Sequence, residues 1–177
     1  MLIFRNDDVN PNTPIDEVRE IYDIIKEYFP DSEIYSCVNI FAKTSDNKSA
    51  YPVIPMKEIN FQDVDKIFNF NHLGKLENIV SHGLFHLDHK TASRDLQEFS
   101  IISSCKLLNT DVFIPPFWRW NQETAALCKE HNIKLWVDED WVNIERLPVD
   151  KTHTHYLFHS WRFTPETFRQ RLESMKL

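Results

Sequence analysis

Ile79-Val80-Ser81-His82-Gly83-Leu84-Phe85-His86-Leu87-Asp88-His89 is the stretch on which the reading of this chain turns. An apolar run ends in two histidines four positions apart, with a glycine between them. The run reads as a buried strand, so the histidines sit where the chain leaves its C-terminal end. In α/β folds that end carries ligands and chemistry. Imidazoles at i and i+4 face the same way if the chain coils after Ser81, and together they offer two ligands to one metal ion. A hydrolytic metal site also needs a third ligand and an open position. Phe4-Arg5-Asn6-Asp7-Asp8-Val9, at the start of the chain, supplies the carboxylates. On spacing alone, His82 and His86 are explained equally well as loop histidines in a chain that has eight.

On either side of this segment strand and helix patterns alternate. Leu2 to Arg5 reads as a first strand running into Asn6-Asp7-Asp8. Thr13-Pro14 then opens a helix, with threonine as N-cap and Ile15, Val18, Ile21, Tyr22, Ile25 and Tyr28 at 3–4 spacing. Further strands are expected at Glu33–Phe41, Glu77–Ser81, Asp111–Ile114, Ile133–Val137 and Tyr156–His159. Residues 43–55 read as a polar loop, and Phe61–Phe70 carries a weak helical pattern. Ser93–Asn109 reads as a helix with Leu96, Phe99, Ile102 and Cys105 on one broad side. Asn121 caps another through His131, with Ala125, Ala126 and Leu127 inward, and Thr164-Pro165-Glu166 opens the last.

Such alternation implies parallel strands joined by right-handed crossovers. Every polar cluster follows a strand: Asp7/Asp8, His82/His86, Pro115 to Asn121, Asp138 to Trp141, and His159. Strand ends converge on one mouth in a barrel, whereas an open sheet would spread them along an edge. The expected fold is therefore α/β, a small irregular (β/α) barrel with fewer than eight complete units. The unit count is below eight because 177 residues are few for eight, and a chain of this length is expected to form one catalytic domain over 1–177.

Composition narrows the function. A hydrophobic fraction of 42% marks a folded globular chain, not a disordered one. Net charge is -7, with no basic run, which argues against a nucleic-acid surface. No apolar stretch is long enough to span a membrane, and no signal-peptide core precedes Asp7. Cys37, Cys105 and Cys128 lack metal-type spacing and fall in apolar patterns, so buried free thiols and a cytoplasmic location are expected. With only Gly74 and Gly83 present, a glycine-rich phosphate loop is excluded.

If Asp8, His82 and His86 hold a divalent metal, two imidazoles and one carboxylate leave positions for water and substrate. Zinc suits such a set, and iron, cobalt, manganese or nickel can use it too. Asp7 would then take the water's proton as general base. Neighbours on an extended strand point oppositely, so this needs a bend after Asn6. Cleaving an amide also calls for an acid at the leaving nitrogen. His159 is placed for that, with Asp140 to orient it; His153 and His155 lie close by in sequence.

These segments resemble, in order, the five motifs of the polysaccharide deacetylase family, metal-dependent carbohydrate esterases acting on N-acetylated sugars. The first is the strand ending in Asp7-Asp8; the resemblance implies Asp7 as base and Asp8 as ligand. The second is His82-Gly83-Leu84-Phe85-His86, both histidines implied ligands. The third, Phe113-Ile114-Pro115-Pro116-Phe117, implies that Pro116 and Phe117 line the groove. The fourth is Asp138-Glu139-Asp140-Trp141, and the fifth, Leu157-Phe158-His159, implies the acid.

Two departures stand out. Val9 replaces the glycine that usually closes the first motif. Ile114 occupies the place of an arginine that orients the base, a role open to Arg5, Arg119 or Arg162, of which Arg162 lies just behind His159. The resemblance implies removal of an acyl group, acetyl foremost, from an amino sugar. A hydrolase of another amide (a formamide or cyclic ureide) and an inactive glycan or metal binder are the alternatives. Trp118, Trp120, Trp136, Trp141 and Trp161 either flank a sugar groove or pack the barrel rim.

Overall fold

The computed structural model describes residues 1–10, 13–40, 73, 75–137, 140–146 and 153–174. The loop expected at 43–55 and the helix expected at Phe61–Phe70 lie outside the described residues. In chain order the elements are β1 (Ile3–Val9), α1 (Ile15–Tyr28), β2 (Glu33–Val38), β3 (Ile79–Ser81) and α2 (Arg94–Leu108). There follow β4 (Val112–Phe113), α3 (Gln122–Glu130), β5 (Lys134–Leu135), β6 (Val142–Asn143), β7 (His155–Phe158) and α4 (Pro165–Glu173). Short 3₁₀ turns occupy Pro116–Trp118 and Ser160–Arg162.

The seven strands form one sheet in the order β5-β4-β3-β2-β1-β7-β6. Every pairing is parallel. The sheet curls into an incomplete α/β barrel with β5 and β6 at its edges, as expected of a barrel with fewer than eight units. β1 is an interior strand, pairing with β2 from Ile3↔Glu33 and with β7 from Ile3↔His155 to Asn6↔Phe158. Asp7 and His159 therefore leave neighbouring strands at the same end.

Side chains alternate between two layers, as the pleat requires. Phe4, Ile34, Val38, Tyr156 and Phe158 pack with Ile21 and Ile25 of α1 and with Phe168 and Leu172 of α4. The opposite set, Ile3, Tyr35, Cys37, Val80, Val112 and Ile114, gathers with Trp136 and Trp141. The apolar stripe expected on α1 is the buried one, from Ile15 to Ile25. All three cysteines are buried and free. Among the described residues, no helix is long and apolar enough to cross a membrane.

Several local expectations need correcting. Thr13 does not cap α1: its Oγ1 accepts the Asn10 N–H at 2.9 Å, and the helix starts after Pro14 without a side-chain cap. On α2 the buried face is Gln97, Ser100, Ile101, Ser104, Cys105 and Leu108, while Leu96, Phe99 and Ile102 are only partly covered. Serine's small size lets the helix approach β3, where Ser104 Oγ meets Ser81 Oγ at 2.6 Å. α3 buries Thr124, Leu127 and Cys128 and leaves Ala126 exposed. Asn121 does cap it, in a box with Thr124. β6 is two residues long, too short for a pattern to reveal.

Candidate functional site

The site starts from an irregularity in β1. Asn6 pairs with Ser36 and Val9 with Val38, so Asp7 and Asp8 together oppose Cys37 alone. This is a bulge, and Asp8 takes φ 63°, a left-handed conformation that aspartate tolerates better than most residues. It provides the bend after Asn6 that two adjacent carboxylates on one site require.

Asp8 meets both histidines of the decisive stretch. Its Oδ1 lies 2.9 Å from His86 Nε2 and 3.5 Å from His82 Nε2. The segment that carries them is a turn, not a helix. Gly83 has φ +93°, and a Cβ there would stand 2.8 Å from the Phe85 carbonyl oxygen. Leu84 N–H donates to Ser100 Oγ at 3.0 Å, tying this turn to α2. His89, from the same stretch, is fully buried against Phe113 and belongs to the core; burial pushes its imidazole down to about 4.

These three residues fit a metal. His82 Nδ1 lies 2.8 Å from the Ile114 carbonyl oxygen, which can only accept, so Nδ1 carries the proton and Nε2 presents a lone pair. Asp8 Oδ1 is buried yet accepts no well-formed hydrogen bond, despite its two imidazole neighbours. Among the described residues, Asp8, His82 and His86 are the one group whose ligand atoms all converge within 4.8 Å. Burial raises the Asp8 carboxyl, but the imidazoles of His82 and His86 beside it outweigh this and hold it well below the usual carboxylate range.

Asp7 is held by Arg5, two residues earlier on the same strand. Arg5 Nε donates to Oδ1 at 2.7 Å and Nη2 to Oδ2 at 2.8 Å. The guanidinium carbon is 4.6 Å from the ring centre of Trp118 and 4.2 Å from that of Trp141. Arg5 is completely buried, and indole faces are suitable neighbours for a cation there. Burial raises the Asp7 carboxyl, yet Arg5 outweighs this, with His82 and His159 adding to it, and the net shift is down.

His159 leaves β7 beside them, with Nε2 3.6 Å from Asp8 Oδ2. Its Nδ1 is 2.5 Å from Glu145 Oε1, and Glu145 Oε2 takes Arg162 Nε at 2.9 Å. The carboxylate on His159 is thus Glu145 and not Asp140, which is exposed. Glu145 follows β6, the strand too short to read from sequence, so no pattern marked it. Burial lowers His159, but the Glu145 bond and the charges of Asp7 and Asp8 outweigh it, leaving the imidazole raised above its ordinary 6.5. His155 sits 5.1 Å from the Trp141 ring.

The third motif forms one lip. Pro116 is buried and starts the 3₁₀ turn, while Phe117 is 58% exposed, its ring 4.2 Å from that of His86. Phe117 and Trp118 both have φ 58°, strained for aromatic residues. Arg119 pairs with Asp88 at 3.0 Å and does not reach Asp7's carboxylate, which Arg5 holds.

No protein-family profile matches the chain, and no curated protein sequence matches it. Solved structures do. A CE4 family pseudoenzyme from Bacillus anthracis, BA3943, superimposes with TM-score 0.62 at 12% identity, over 99% of this chain and 60% of that one. The fold is that of the CE4 esterases. A family 4 carbohydrate esterase from Streptomyces lividans, solved with acetate, matches at TM-score 0.58 and 9% identity, covering 98% of this chain and 85% of its own. The chitin deacetylase of Colletotrichum lindemuthianum matches at 0.60 and 12%, covering 98% and 80%. This chain therefore spans about 60% of the length of the Bacillus anthracis CE4 protein and more of the other two.

Proposed function

We propose that this chain is a metal-dependent hydrolase that removes an N-acyl group, acetyl foremost, from an amino sugar or a small cytoplasmic glycan precursor. One observation carries the reading. Asp8, His82 and His86 converge beside a carboxylate gripped by arginine and an imidazole backed by a carboxylate. A divalent metal bound there, zinc for this ligand set, would supply a Lewis acid for the acyl oxygen and lower the pKa of water.

The chain's own residues do the proton work. Asp7, ionised and oriented by Arg5, takes a proton from the attacking water as its oxygen adds to the acyl carbon. His159 holds its Nδ1 proton toward Glu145 and carries the transferable proton on Nε2, which faces Asp8. As the C–N bond breaks, the leaving nitrogen takes that proton, giving a free amine and a carboxylic acid, and the proton held by Asp7 restores the charge balance of the pair. Arg5 keeps Asp7 ionised and Glu145 keeps His159 protonated, so base and acid start in the states this chemistry requires.

A binder without turnover is the second reading, motivated by Ile114 in place of the motif arginine. Arg5 supports the active reading, because a guanidinium reaches the base from another strand position. The test is metal content of the purified protein beside Asp8→Ala and His82→Ala, followed by amine release from a panel of N-acyl substrates. We expect about one metal ion per chain, lost in both variants, with release from N-acetyl sugars above formamides and cyclic ureides. No metal uptake after incubation with zinc would overturn the reading.

A further inference from the structure

Within the reading just given, we propose that Trp161 is a stacking platform for the sugar ring bearing the scissile amide, so the substrate presents a pyranose face and not a flexible acyl-amine chain. Three of the protein's tryptophans have packing partners that account for them. Trp118 and Trp141 enclose Arg5, and Trp136 packs against Tyr35 and Trp141. Trp161 and Trp120 are each 40% exposed, but Trp161 is the one whose ring lies against the candidate acid, 5.4 Å from that of His159. The exposed part of the indole is apolar surface that a ligand covering it would remove from water.

The position of this ring is fixed from both sides. Ahead of it, Ser160 N–H donates to Asn6 Oδ1 at 2.9 Å, while Asn6 Nδ2 donates to Ser160 Oγ at 3.1 Å. Behind it, the Arg162 guanidinium lies 4.4 Å from the indole centre while its Nε binds Glu145, the residue that holds His159. The platform and the acid thus share one support. Phe117, 58% exposed against His86, gives the opening a second aromatic wall beside the candidate metal ligands. Sugar rings carry C–H faces that lie flat on such π surfaces, whereas a linear amine chain cannot cover both.

The experiment uses the full chain loaded with zinc, triacetylchitotriose as probe, and the variants Trp161→Ala and Trp161→Phe. Amine release should show KM rising about tenfold or more in Trp161→Ala with kcat nearly kept, and Trp161→Phe should recover most of the loss. An unchanged KM, or loss of kcat together with metal content, would overturn the platform. Titrating indole fluorescence with the same sugar separates this from failure of the deacetylase reading. If no variant releases amine, quenching present in the wild type and absent from Trp161→Ala still supports the platform. No quenching in the wild type overturns it.

Discussion

Arg5 grips Asp7 through two parallel bonds of 2.7 and 2.8 Å, donor and acceptor lying two residues apart on β1. Residues i and i+2 share a face of a strand, so both groups enter the barrel interior, and the Trp118 and Trp141 rings lie beside the guanidinium. Lysine cannot reproduce the planar fork. We expect Arg5→Lys to lower kcat by about 10²-fold with metal content unchanged, and Arg5→Met to lose about 3–5 kcal/mol of stability by leaving Asp7 buried and unpaired. Steady-state kinetics and urea denaturation check the two halves. This pair's stability is present above the ordinary carboxyl value of 3.8 and is lost as pH falls through Asp7's lower folded value.

Asp7→Asn should abolish turnover and keep the metal. Asp8, not Asp7, converges with the histidines, and an amide cannot accept the water's proton. Metal analysis of the inactive variant decides it: loss of the ion would refute the division of roles.

Glu145→Gln should move the alkaline limb of kcat/KM to lower pH. His159 must be protonated to act, and Glu145 holds its imidazole above 6.5 despite burial. Removing that charge lets the proton leave at lower pH. The corresponding contribution to stability is full below 6.5 and vanishes as pH rises through the raised folded value, so the variant's deficit relative to the wild type should be largest at acid pH. A pH–rate profile of both proteins measures the shift; an unmoved limb would remove Glu145 from its positioning role.

Gly83→Ala should destabilise by about 1–3 kcal/mol and weaken metal retention, since φ +93° and a 2.8 Å approach to the Phe85 carbonyl leave no room for a methyl group. Thermal melts with and without zinc report both effects.

Zinc at a hundredfold excess over its Kd should stabilise the wild type by about 2.7 kcal/mol and leave Asp8→Ala unmoved. Equal shifts in both proteins would place the ion elsewhere.

Much of this could be read in the chain. The strand-like runs and the helical stripe of α1 are local patterns, and their alternation along the chain implied parallel strands, while the polar clusters that follow each strand implied a short barrel. The Asp7-Asp8 pair and the His82/His86 spacing were legible because their chemistry is uncommon and they follow strands. The polar face of α2 was not. Ser100 and Ser104 are buried because they bond to Leu84 N–H and Ser81, which no hydrophobic pattern encodes.

The linear order of residues determined which groups could take part, because ligand type, strand ends and helix caps depend on near neighbours. Tertiary structure alone decided how they were paired. The bulge at Asp7-Asp8 depends on how β1 registers with β2, and the choice of Arg5 over Arg162 on which groups the closed interior brings within bonding distance. Glu145 reaches His159 because β6 lies beside β7, although fourteen positions separate them along the chain. Such contacts follow from the sheet order, and periodicity within a segment carries no record of it.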